Sequence, residues 1–100
     1  MQGVCRARDL CTGHECYPPR QNISWSSNVF VNSRGWHRGN DGWGPHCDTC
    51  DDPNHPCHLG KTISSGSVFV NSRTGAKVGD PIDCGSAVSS GSSNVGCGFA

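Results

Sequence analysis

One phrase written twice constrains this chain more than anything else in it. "SSNVFVNSRGWHRGND" at 26–41 lies over "SGSVFVNSRTGAKVGD" at 65–80 with eight identities in sixteen positions. Fragments of a third copy sit at the two ends: "SSGSSNV" (89–95) repeats the opening of the unit and "RARD" (6–9) repeats its close. Joined in space, the termini would complete a third unit. Each unit closes on a basic residue three places before an Asp, as Arg6/Asp9, Arg38/Asp41 and Lys77/Asp80, so the register holds where the intervening residues vary.

Within a unit, "VFVN" alternates with period two, which places Val29 and Val31 (Val68 and Val70) on one face of a short strand and Phe30 (Phe69) on the other. Asn-Ser-Arg followed by Gly or Thr-Gly is turn chemistry, and the segment running on to Asp reads as the return strand of a hairpin. Fourteen Gly, six Pro and thirteen Ser are spread so that no window sustains an apolar face at helical spacing. The expectation is a single all-β domain over 1–100 built of short β-hairpins.

Such a chain has a thin core. Leu, Ile, Val and Phe contribute only 16 of 100 residues, with a formal net charge of zero. A small core seldom supplies more than about 3–5 kcal/mol, so small folds add disulfides, a metal or a partner surface. Eight Cys and five His are the available reinforcement, and Trp25, Trp36 and Trp43 are expected to supply packing area that the two leucines do not. The N-terminal "MQGVCRARDLC" carries no apolar signal core, so synthesis in a bacterial cytoplasm is expected, where a cysteine pattern more often means metal than disulfide. Interspersed charge gives no basic footprint for nucleic acid and no amphipathic membrane segment.

Metal candidates follow the repeat. His14 lies five residues beyond Asp9, His46 five beyond Asp41 and Cys84 four beyond Asp80, so a pseudo-threefold axis would bring the three side chains together. A fourth ligand is expected from the insert "HCDTCDDPNHPCHLG" (46–60), with His58 placed best, closing a tetrahedral site with no open position. A competing set is local: Cys47, Cys50 and Cys57 with His55 or His58 read as a small zinc knuckle. Cys5, Cys11 and Cys16 have no partner in the register and are read as buried thiols, a second metal set, or disulfide partners of Cys97. His37 is read as a solvated loop residue.

The order of Ile, Gly-Ser, Val-Phe-Val-Asn, a basic residue with Val-Gly-Asp, and Cys-Gly in "ISSGSVFVNSRTGAKVGDPIDCGSAVSSGSSNV" (63–95) resembles the PAAR-repeat family, whose members form the tips of spikes in contractile phage tails and type VI secretion systems. "NISWSSNVFVNSRGWHRGND" (22–41) matches less closely, lacking the Gly before Ser and the Val-Gly before Asp. The resemblance implies a small cone of three pseudo-threefold β-hairpin units, metal-stabilised at the apex by zinc held by His14, His46, His58 and Cys84; the sequence leaves iron open in its place. It also implies a structural rather than enzymatic role. The chain would cap a trimeric β-helical spike, either a phage baseplate central spike or a valine-glycine-repeat spike, at one copy per trimer. It would then touch the target membrane only transiently. Localisation would be the phage virion or the tip of a secreted spike, with Val29, Phe30, Val68 and Phe69 serving docking or core. Two other readings stand beside it: a zinc-knuckle binding module built on 46–58, and catalysis by Cys47 and Cys50 as a redox pair, which lacks the helical context such motifs need.

Overall fold

The repeated "VFVNSR" folds as the same hairpin twice. In the computed structural model, which describes residues 2–50 and 56–97, β2 (Phe30–Val31) pairs antiparallel with β3 (Arg34–Gly35), and β6 (Phe69–Val70) with β7 (Arg73–Thr74). Between the strands sit only Asn-Ser, with φ of 53° and 64° at Asn32 and Ser33 and of 54° and 66° at Asn71 and Ser72. Two consecutive left-handed residues are what a two-residue type I′ turn requires, and Asn is among the residues that tolerate it best. The third unit forms from the termini: β1 (Gln2–Gly3) pairs with β8 (Gly96–Cys97) where the other units carry β2 and β3. The longest ladder is β4 (Gly42–His46) with β5 (His58–Lys61), and the described residues contain no helix.

The three units close into a ring. The Cys5 N–H donates to the Ala76 carbonyl (2.9 Å), Ala76 N–H to His37 (2.9 Å) and His37 N–H to Cys5 (3.0 Å), one equivalent residue from each unit. A parallel cycle joins Ala7 to Gly35, Gly39 to Thr74 and Val78 to Gly3. Closing the cycle pairs backbone groups that three separate hairpins would leave as exposed edges.

Charged residues fasten the same seams. Asp9 and Asp41 each accept the backbone N–H and the guanidinium of the Arg three residues earlier, and Asp80 does the same with Lys77. The Arg of "NSR" reaches across to the neighbouring unit: Arg34 donates to Ala7 O and pairs with Asp9 (3.4 Å), while Arg73 donates to Gly39 O and pairs with Asp41 (3.0 Å). Burial alone would raise the Asp9 and Asp41 carboxyls, but hydrogen bonds from Arg6 and Arg38 outweigh it and hold both below the usual carboxylate range. The residue before each Asp needs positive φ, at Arg8 (67°), Asn40 (69°) and Gly79 (96°), which explains a Gly in the "VGD" of the second copy.

Layers of core side chains stack along the pseudo-axis of a body 40 × 25 × 22 Å in extent. Val31 and Cys97 pack with Val4 at one end, and Val70 is buried at the equivalent position. Next come Cys5 and Ala76, which pack with Cys11, Trp43, Ile82 and Val88, and partly buried Cys84 lies against that cluster. Trp43 is fully buried as expected, whereas Trp25 and Trp36 are only half-buried. His37 is not a solvated loop residue: it lies fully buried in the ring beside Trp43. The repeat register puts it opposite Cys5 and Ala76, in a core position that a reading of isolated residues could not see.

Candidate metal centre

Beyond the ring, each unit continues past its Asp as an outgoing arm and comes back as a return arm: Leu10 bridges Gln21, Gly42 pairs with Lys61, and Pro81 bridges Ala87. The arms are linked around the axis by the bridges Cys11–Val88, Asn22–Trp43 and Thr62–Ile82. The outgoing arms bring His14, His46 and Cys84 to one end of the molecule, and β5 brings His58 in beside His46 as its cross-strand partner.

One ligand atom from each of His14, His46, His58 and Cys84 lies within 4.8 Å of every other. The His58 Nε2 is 3.1 Å from His14 Nε2 and 2.7 Å from His46 Nε2. The His46 Nδ1–H donates to the Pro18 carbonyl (2.8 Å), which turns the lone pair of Nε2 toward the cluster. Burial holds the His46 and His58 imidazoles below their ordinary range, and the neighbouring histidines and Arg20 push them the same way. Neutral rings with converging lone pairs are what a small cation requires of its ligands. Three imidazole nitrogens and a sulfur this close fit a tetrahedral ion with metal–nitrogen bonds of about 2.0–2.1 Å and a metal–sulfur bond of about 2.3 Å. The residues present therefore could hold a metal ion.

The insert cysteines, expected as an alternative ligand set, are instead paired: Cys47 with Cys57 and Cys16 with Cys50. The expectation of metal rather than disulfides gives way here, and the two cysteines of the C-x2-C pair belong to different bridges. A second group, Cys16, Asp48 and Cys50, thus consists of one disulfide and a carboxylate whose Oδ1 accepts the Cys50 N–H. His55 lies outside the described residues. Cys5, Cys11 and Cys97 are buried free thiols, and burial pushes Cys5 and Cys97 up.

Two residues at this end went unread in the sequence. Tyr17 bridges His14 in the position where His58 faces His46, and its ring lies 4.8 Å from His14, 4.1 Å from His58 and 4.9 Å from His46. Its hydroxyl donates to Pro56 O (2.7 Å), anchoring the arm to the insert. The signal was positional, since Tyr17 is the return partner of the first ligand. Arg20, nearly buried, has no carboxylate partner among the described residues. It donates to Gly44 O (2.8 Å) and to the sulfurs of Cys11 (3.0 Å) and Cys84 (3.4 Å), and its guanidinium lies 5.6 Å from the Trp43 ring centre. A donor held 3.4 Å from the Cys84 sulfur fixes the direction of that side chain. Arg20→Met is therefore expected to weaken metal binding about tenfold, the lower range for loss of an outer partner, measured by chelator competition.

Phe30 and Phe69 are 61% and 64% exposed, while Val31 and Val70 are buried and Val29 and Val68 are half-buried. The alternation read from "VFVN" is thus resolved, with the phenylalanines outward. Compared with family models and with curated proteins, the chain matches none.

Proposed function

We propose that this chain is the tip of a trimeric β-helical spike of a phage tail or type VI secretion machine, capping the shaft and hardening the point that pierces a cell envelope. The observation that carries this reading is the threefold plan of the molecule: three pseudo-equivalent units set out short strands, two of them with exposed phenylalanines, and three arms converge on four metal-ligand side chains.

A trimeric β-helix ends in three equivalent strand edges, and a single chain with three related units can meet all three at once. The bound ion, zinc or iron, would cross-link arms from different units at the point. The site has four protein ligands and so no vacant position for a substrate, which is the structural kind of site. The PAAR resemblance of 63–95 supports the same reading.

The test mixes the protein with a trimeric β-helical spike and counts chains by native mass spectrometry. One chain per trimer is expected. A Phe30→Ser/Phe69→Ser variant should keep its stability to within about 1 kcal/mol, because both side chains are largely exposed. It should lose about 2 kcal/mol or more of docking energy for each anchor removed. A variant that docks as well as the wild type would move the interface elsewhere, and a wild type that docks to no trimeric spike would sink the proposal.

A further inference from the structure

We propose that the Cys47–Cys57 and Cys16–Cys50 disulfides form a redox lock on the metal end, so that the four-residue site holds its ion tightly when they are oxidised and releases it readily when they are reduced. The proposal rests on reading His14, His46, His58 and Cys84 as a metal site and adds its regulation.

The placement of the half-cystines carries the argument. Cys47 follows His46 and Cys57 precedes His58, so one bridge joins the two strands one residue beyond the cross-strand pair His46–His58. Cys16 is two residues from His14, and its bond to Cys50 ties that tip to the insert. Three of the four ligands thus stand within two residues of a bridge. Non-covalent links also cross the seam. Thr49 donates its N–H (2.9 Å) and hydroxyl (2.8 Å) to Cys16 O, and Tyr17 donates to Pro56 O. The described strand pairing of β4 and β5 stops at His46–His58, and the bridge joins the two strands just past the ligands.

Accessibility sorts the cysteines the same way. Cys47, Cys50 and Cys57 are exposed and Cys16 half-buried, whereas unpaired Cys5, Cys11 and Cys97 are buried. An external thiol or disulfide can therefore reach the paired set and not the buried three. Forming each bridge removes two electrons and two protons from two thiols and passes them to a disulfide oxidant, which leaves as two thiols. Reduction by a dithiol or by glutathione runs the exchange backwards. Without the bridges, ordering His14, His46 and His58 around an ion must be achieved at the moment of binding, and the cost appears as lower affinity.

Cobalt(II) is the probe, because a tetrahedral site with one thiolate gives visible bands that report its geometry. Oxidised wild type, Cys47→Ser/Cys57→Ser and Cys16→Ser/Cys50→Ser are titrated with cobalt against a chromogenic chelator, with near-ultraviolet circular dichroism of the buried Trp43 confirming the fold. The Ser variants cannot replace the bridges with new thiolate ligands. Oxidised wild type should bind one cobalt, and each variant should bind it about tenfold or more weakly, the scale seen when a ligand's support is removed. If a variant does not fold, oxidised cobalt-loaded wild type is treated with a phosphine reductant, and cobalt transfer to the chelator should accelerate by a similar factor. Equal affinity and equal release in both states would overturn the lock and leave the metal site standing. A shift on reduction to bands of several thiolates would also overturn it, since the freed cysteines would then be ligands themselves. No cobalt bound by the oxidised protein would overturn the metal reading and the lock together.

Discussion

With the four-residue site read as a metal centre, stripping metal from the purified protein is expected to lower its stability by about 4 kcal/mol or more, the free energy of binding to the native state alone when free metal stands at about a thousand times its dissociation constant. For a domain of this size that is a fall in melting temperature of more than about 15 °C. The expected size follows from where the site lies. His14, His46 with His58, and Cys84 belong to three different units, so an ion held by them would cross-link arms that also meet through backbone bridges such as Cys11–Val88 and Thr62–Ile82 and through the Cys16–Cys50 disulfide. Without it, the His58 Nε2 stands 2.7 Å from His46 Nε2 and 3.1 Å from His14 Nε2 with no cation between them. Elemental analysis should return one equivalent per chain and identify the ion as zinc or iron. Cys84→Ser should lose that equivalent and melt as the stripped wild type does. A melting temperature unmoved by both chelation and Cys84→Ser would remove the metal from the account of stability and leave the disulfides as the reinforcement.

Acidification from pH 7 toward 4 costs the metal-free protein about 3 kcal/mol through His37 alone, from a folded pKa lowered to about 4 against the ordinary 6.5. The cause is burial, which penalises the charged ring more than the Ser24 carbonyl and Asp41 favour it. The local hydrogen bonds agree. Trp43 Nε1–H donates to Thr62 Oγ1 (2.7 Å), the Thr62 hydroxyl donates to His37 Nε2 (2.7 Å), and His37 Nδ1–H donates to Ser24 O (2.8 Å). This chain has room for one ring proton, and a second would leave the Thr62 hydroxyl without its acceptor.

The sign is that of a depressed pKa. Between about 4 and 6.5 the unfolded chain binds a proton that the folded one refuses, so stability is complete above the unfolded value and is lost as pH falls toward the folded one. Below that window Asp9 and Asp41, held low by their arginines, lose their contribution in turn. Urea titrations of metal-free wild type and of His37→Asn between pH 7.5 and 4 measure the effect. His46 and His58, also lowered, contribute in the same direction in both proteins. The variant should start less stable and lose less on acidification. Parallel profiles for the two would show that His37 takes up its proton without cost.

The repeat made much of this architecture legible. The Arg-x-x-Asp closure marks a turn in which the Asp carboxylate caps the backbone N–H of the residue three before it, and that local rule survives any substitution between them. Counting onward from each Asp reached His14, His46 and Cys84, because arms that leave equivalent turns reach the axis after nearly equal lengths. His58 was reached from its place just before Gly60 and the segment that opens the second unit. Side-chain environments were harder to read. His37 looks like a lone polar residue until the ring sets it opposite Cys5 and Ala76. Phe30 and Val31 differ only in which side of a two-residue ladder faces the neighbouring units. Arg20 and Tyr17 belong to return arms whose lengths differ between units, so no register carried over to them.

The sequence by itself determined that the chain is built of three related β units with the third split between its ends, because hydrogen-bonded turns and period-two strands are local and repeat wherever the residues do. It also determined which side chains stand at matching heights beyond each turn. Only the tertiary structure decided the pairing of the cysteines. Eight of them allow many combinations, and proximity in the closed ring leaves Cys16 beside Cys50 and Cys47 beside Cys57 while it buries Cys5, Cys11 and Cys97 as free thiols. It likewise decided that His37 is core and Phe30 is surface, since burial is a property of the assembled ring and of no single segment.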